Sequence, residues 1–245
     1  MKVNGKEHII PFIATIYRLV ESQEQIATLR LVNNVYEQGV LEDLIETTKN
    51  PIPEDTDSLH YLLKTPFRYP PLKYGSRFGR TLERGFFYGS LNITTALAET
   101  AYYRFVYMQG PEVPFSSTIS SEYSSFSISV KSDLGILLDQ RPFTTYESML
   151  SSPISYTETQ RLGASMRHYG VEVFRYISAR DQNKGKNVAL FTPKAFCNPK
   201  PSKLTQWLCQ TNIEEVGFLS KEDEQRILYN QKDFWIEGKF PSPAT

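Results

Sequence analysis

Histidine and cysteine, the side chains from which most metal centres and many nucleophilic sites are built, are nearly missing from this chain. The three histidines, His8, His60 and His168, stand far apart, and no HExxH or other zinc spacing occurs. The two cysteines, Cys197 and Cys209, make neither a disulfide framework nor a four-ligand metal set. No metal is therefore expected. An excess of charge of either sign is also lacking, since 27 basic residues balance 27 acidic ones. A protein that holds nucleic acid by its phosphates is normally basic overall, so direct nucleic-acid binding is not expected, although a local anion pocket is still allowed. The N-terminal MKVNGKEHIIPF has no long apolar run, which argues against a signal peptide or a membrane span. The expected compartment is the cytoplasm. Internal repeats, heptads and low-complexity segments are absent as well.

What is present is ordinary in amount and unusual in kind. Hydrophobic residues at 40% and charged residues at 22% are globular values, and 245 residues fit one domain. The aromatics are fifteen tyrosines and fifteen phenylalanines against two tryptophans. That excess suits a site that stacks flat rings and donates hydroxyls, and it equally suits a β-rich core.

Hydrophobic periodicity predicts a strand over His8–Val20, ending in Tyr17-Arg18. Ser22-x-x-Gln25 is a capping-box pattern, followed by Ile26, Leu29, Val32 and Tyr36 at helical spacing. Gly39 is expected to break that helix, with VLEDLIETT forming a second one, NPIPEDTD a loop and LHYLL a short apolar segment. PFRYPPLKYGSRFGRTLERG reads as a long irregular loop, and loops of that length in compact domains are functional or disordered. FFYGS then reads as a strand, and ITTALAETAYYRFVYMQ as a helix capped by Asn92 or Thr94 and stopped at Gly110-Pro111. SSFSISVKS and LGILLD are expected as two strands, YTETQRLGASMRHY as a helix, and VEVFRYISARD and NVALF as strands joined by DQNKGK. The tail offers WLCQ, VGFL and FWIEG. Strands grouped around a few helices, without βαβ regularity, imply an α+β fold.

Three features carry chemistry. Glu99 has Thr95, Ala96, Tyr102 and Tyr103 as its helical neighbours, so no cation can pair with it locally. It is either a solvated glutamate or a carboxylate facing a distant cationic group, and spacing leaves both open. Arg77, Arg80 and Arg84 share a glycine-punctuated loop, and guanidinium is the natural bidentate partner of phosphate, yet surface loops commonly carry arginines. GSRFG is neither a P-loop nor a dinucleotide fingerprint, and Ser178 in YISARD lacks the G-x-S-x-G of a nucleophile elbow.

In order along the chain, Tyr17-Arg18, GSRFG, FFYGS, ALAET and RYISARD with NVALF closely resemble the RES family, named for an Arg, a Glu and a Ser. This chain departs from the family pattern in reading GSRFGR for Gly-Gly-Arg-Trp-Asn and in carrying Ile177 where proline is common. The resemblance implies one RES-like domain over 1–245, with an insertion at 40–72 and a C-terminal extension from about 197 to 245. It implies an ADP-ribosyltransferase-like α+β fold, with two small β-sheets around an NAD cleft and flanking helices. The implied activity is that of a toxin in a toxin–antitoxin pair, an NAD phosphorylase or NAD glycohydrolase that splits the nicotinamide–ribose bond with phosphate or water as acceptor. NAD is then the substrate and no cofactor is needed. Glu99 and Arg77 are the implied catalytic residues, with Arg18, Tyr17, Tyr88 and Ser178 binding substrate. The implied partners are inorganic phosphate and a helix-turn-helix, Xre-like antitoxin, and the assembly is a homo-dimer or a toxin–antitoxin hetero-oligomer. Transfer of ADP-ribose to a protein is the second reading, and an inactive binding module that retains the fold is the third.

Overall fold

A computed structural model describes residues 5–22, 31–71, 75–113, 115 and 117–242. The expected capping box and the positions of Ile26 and Leu29 lie outside the described residues, apart from Ser22. The fold is mixed: among the described residues, eight strands hydrogen-bond into one sheet, with helices packed on it.

The strands are β1 (Ile10–Glu21), β2 (Phe87–Ser90), β3 (Ile119–Leu137), β4 (Val173–Ile177), β5 (Lys186–Leu190), β6 (Ser202–Thr211), β7 (Glu215–Ser220) and β8 (Arg226–Asn230). Their order is β1-β2-β5-β4-β3-β6-β7-β8, and β1 also pairs with β3. The first five strands therefore return on themselves as a ring, and β6, β7 and β8 extend from it as a wing. All pairings are antiparallel except β3 with β4. This arrangement corrects the expectation of two small sheets, and its cause is the 19-residue length of β3. Its N-terminal half lies between β1 and β6, while its C-terminal end lies between β1 and β4, so one strand belongs to both groups. SSFSISVKS and LGILLD are accordingly one strand and not two. Phe126, Ile128 and Val130 alternate into the core as period two requires.

The helices are α1 (Val35–Thr48), α2 (Tyr61–Arg68), α3 (Ile93–Gln109), the single-turn α4 (Glu147–Leu150) and α5 (Thr157–His168). Gly39 does not break α1, contrary to expectation. Asn34 starts the helix by accepting the Glu37 backbone N–H at 2.9 Å, and the Glu37 carboxylate answers the Asn33 N–H at 2.9 Å. Closing both ends of the first turn offsets the roughly 1 kcal/mol that a mid-helix glycine costs. LHYLL is largely helical, as the start of α2, with Leu62, Leu63 and Phe67 buried. In the tail, FWIEG forms no strand: a 3₁₀ turn over Gln231–Phe234 precedes a bridge between Ile236 and Lys239. The last strand is β8, which the sequence reading missed because RILYN alternates only weakly.

Two cores result. The larger one joins the ring to α2 and α5 around Phe78, Phe87, Phe174 and Val188. The smaller one joins α3 to the wing through Leu97, Tyr102, Phe105, Trp207 and Phe218. Both meet the segment Gly75–Glu99, and the cleft opens there.

Candidate active site

The GSRFG loop is held against α5 by backbone contact. Gly75 has φ +78°, a left-handed conformation that suits glycine, and Ser76 and Gly79 then bridge each other. Gly163 of α5 lies so close that an added Cβ would sit 1.9 Å from the Phe78 carbonyl oxygen. Gln160 of α5 donates to the Ser76 carbonyl at 3.1 Å. Phe78, fully buried, anchors the loop edge-on against Phe174 and Tyr176. Arg77 is thereby turned toward a cavity of about 290 Å³ between this loop, β1, β2 and the start of α3.

Five of the six residues singled out in sequence line that cavity: Tyr17, Arg18, Arg77, Tyr88 and Glu99. Ser178 lies directly behind Glu99. Arg80 and Arg84 lie on the exposed side of the loop, and Arg84 makes a two-pronged ion pair with Asp55 at 2.7 and 2.9 Å. Of the three loop arginines, only Arg77 borders the cleft.

Glu99 lies in the second turn of α3, on the face shared by Ala96, Thr100 and Tyr103. The Ser178 hydroxyl donates to its Oε1 at 2.6 Å, and Asn187 Nδ2 donates to the same oxygen at 2.6 Å. Ser178 can do this because its own oxygen already accepts the backbone N–H groups of Arg180 and Asp181, both at 3.1 Å. Its proton is committed to Glu99, so the arrangement makes Ser178 a support for the carboxylate and not a nucleophile. Thr95 on α3 donates to Asp181 at 2.7 Å and ties the YISARD turn to the same helix.

Arg18, at the cleft end of β1, donates to the Tyr88 carbonyl at 2.8 Å and lies 4.9 Å over the Phe87 ring. Its Nε is buried without a partner. Burial pushes its guanidinium down to about 10, which leaves it cationic at neutral pH. Arg77 donates from Nη1 to the carbonyls of Ser152 at 2.7 Å and Leu150 at 3.3 Å, and its guanidinium lies 4.8 Å over Tyr156. One nitrogen of Arg77 therefore pins the turn after α4, which carries Tyr156 into the cavity wall. The Tyr88 hydroxyl donates to Ser76 Oγ at 3.0 Å and accepts the Phe78 N–H at 3.4 Å, so it braces the loop. Burial raises the pKa of Tyr88 and of Tyr176, and both remain neutral phenols.

Sequence reasoning missed Asn187, Ser90, Tyr103 and Tyr156. Tyr103 was legible, since it follows Glu99 by one helical turn and must share its face. Asn187 was visible only as the polar first letter of NVALF. Tyr156 and Ser90 carried no signal, because pairing distant segments decides what they face. Among the described residues, no three His, Cys, Asp or Glu side chains are placed to hold a metal ion, and no helix is long and apolar enough to cross a membrane.

The family model for the RES domain matches residues 52–212. This chain belongs to the RES domain family. The matched stretch holds Arg77, Tyr88, Glu99, Ser178 and Asn187, while Tyr17 and Arg18 on β1 precede it and β7 and β8 follow it. No curated protein matches the chain. The RES cleft is thus completed by a strand outside the matched residues.

Proposed function

We propose that this RES protein consumes NAD, breaking the bond between nicotinamide and ribose with phosphate or water as acceptor. The observation that carries the reading is the cleft itself: two arginines, several tyrosines and one carboxylate held by two hydrogen bonds border a single cavity. Family membership supports the same reading.

In this mechanism the pyrophosphate lies toward Arg18 and the free nitrogens of Arg77, where planar guanidinium groups make paired charge-assisted hydrogen bonds. The nicotinamide ring, flat and cationic, stacks among the cleft tyrosines. As the C–N bond breaks, its electron pair leaves with nicotinamide, which becomes neutral, and positive charge develops on the ribose. Glu99, with Oε1 occupied by Ser178 and Asn187, turns Oε2 toward the ribose to stabilise that charge and hold a hydroxyl. A phosphate oxygen then bonds to the ribose carbon as an anion, or a water oxygen bonds there and releases one proton to solvent. NAD is consumed as substrate, so the reading calls for no resident redox cofactor.

Such an activity depletes a shared cofactor, which suits a toxin held in check by an Xre-like helix-turn-helix antitoxin that covers the cleft. The test is to incubate the purified protein with NAD, with and without phosphate. Free nicotinamide with phosphorylated or free ADP-ribose is the expected result. Label moved from NAD onto protein would identify an ADP-ribosyltransferase instead. NAD left intact by the folded protein overturns the reading and favours a binding module.

A further inference from the structure

We propose that Asn187 is the positioning residue that orients the catalytic carboxylate of Glu99, with Ser90 fixing Asn187 in turn. The proposal rests on the NAD-cleaving reading for its kinetic consequence and on the structure for its geometry.

Asn187 begins the apolar run of β5 and is only 3% exposed, yet it borders the cavity. A buried amide in that place must satisfy both of its ends. The carboxylate of Glu99 can only accept, so the amide must turn Nδ2 toward it, as the 2.6 Å contact with Oε1 shows. Oδ1 then faces Ser90, 3% exposed on the neighbouring strand, whose hydroxyl donates to it at 2.6 Å. The register that pairs Ser90 with Asn187 across β2 and β5 sets this contact. The result is a directed relay, Ser90 to Asn187 to Glu99, with Ser178 donating from the other side to the same oxygen.

Two donors on one oxygen have a chemical consequence. Oε1 is consumed by the protein, and the carboxylate cannot rotate to exchange its oxygens without losing both bonds. Oε2 is the atom presented to the cleft, and it is held in place before substrate arrives. Ser178 alone would allow the carboxyl plane to turn about its single bond, whereas Asn187, approaching from β5, fixes that plane.

The relay separates from a packing role by the order of substitutions. Asp is nearly the shape of Asn, but when ionised it repels the Glu99 carboxylate, and when protonated it shares its proton with Glu99 and lowers the negative charge the cleft presents. If Asn187 merely fills space, Asn187→Asp should be milder than Asn187→Ala. If it donates to Glu99, Asn187→Asp should be the more damaging. Steady-state NAD turnover is measured for wild type, both variants and Ser90→Ala, with folding checked by circular dichroism and thermal melting. The expected result is a kcat about 10- to 100-fold lower in Asn187→Ala, lower again in Asn187→Asp, and a few-fold lower in Ser90→Ala, with KM nearly unchanged. Asn187→Asp more active than Asn187→Ala, or an effect confined to KM, overturns the proposal.

Crystal structures of the wild type and of Asn187→Ala read the orientation without any substrate. The Glu99 carboxyl turned from its wild-type orientation in Asn187→Ala supports the proposal, and Glu99 unmoved overturns it. Should the wild type leave NAD intact, the NAD reading falls, and these structures still decide whether Asn187 orients Glu99.

Discussion

The two faces of α3 serve opposite purposes. One face carries Ala96, Glu99, Thr100 and Tyr103 into the cleft, and the other buries Leu97, Ala101, Tyr102 and Phe105 against the wing. On the wing side the contacts are apolar and aromatic: Tyr102 stacks on Phe240 at 5.3 Å, and Phe105 meets Phe234 at 5.7 Å. On the cleft side the contacts are hydrogen bonds to a half-buried carboxylate. The difference shows how a half-buried acid is held in place. Packing one face tightly leaves the helix little freedom to retreat, so the other face can hold Glu99 in a polar setting that contributes little to stability by itself.

Glu99→Gln should break the cleft side most sharply. It keeps the shape and removes the charge, so NAD turnover should fall at least 100-fold while the melting temperature holds. Turnover above a tenth of wild type would remove Glu99 from the chemistry. The counterpart on the wing side is Phe105→Ala, which empties a fully buried position. It should cost about 3–5 kcal/mol in denaturant unfolding, with turnover per folded molecule close to wild type. An activity loss as deep as that of Glu99→Gln would mean the two faces are not separable.

Arg18→Ala sharpens the comparison within the cleft. Losing a charge-assisted phosphate contact worth about 1.5–3 kcal/mol should raise KM roughly ten-fold or more, with a smaller change in kcat. An unaltered KM would place the pyrophosphate elsewhere. Arg84→Ala, outside the cleft, should have the smallest effect. Its ion pair with Asp55 is exposed and worth about 0.2–1 kcal/mol, and kinetics should be those of wild type. A KM shift there would show that the cleft extends around the loop.

Much of the fold was legible where periodicity was strong. The expected boundaries of the helix over 93–109 and of the strand at FFYGS agree closely with α3 and β2. The reading failed where tertiary pairing overrides local signal. β3 runs through a weakly alternating serine-rich stretch because β1, β4 and β6 all pair with it, and Gly39 stays helical because a strong cap precedes it. Of the cleft residues, Tyr17, Arg18, Arg77, Tyr88 and Glu99 were found through family-like motifs, yet Ser90 and Asn187 were missed although they stand in FFYGS and NVALF. Like Tyr156, they were missed because their neighbours in space are distant in sequence.

By itself the sequence determined the composition limits, most of the elements, and an ordered set of motifs that named the RES family and pointed to Arg18, Arg77, Tyr88, Glu99 and Ser178. Only the tertiary structure decided that Arg77 pins the turn after α4 and lies over Tyr156 at the cleft wall. It also decided that one sheet branches at β3 where two were expected, and that Ser178 spends its proton on Glu99 beside Asn187. The physical reason is that a hydrogen bond of 2.6 Å depends on strand register and helix placement, which sum contacts from the whole chain, whereas periodicity records only which face of an element is apolar.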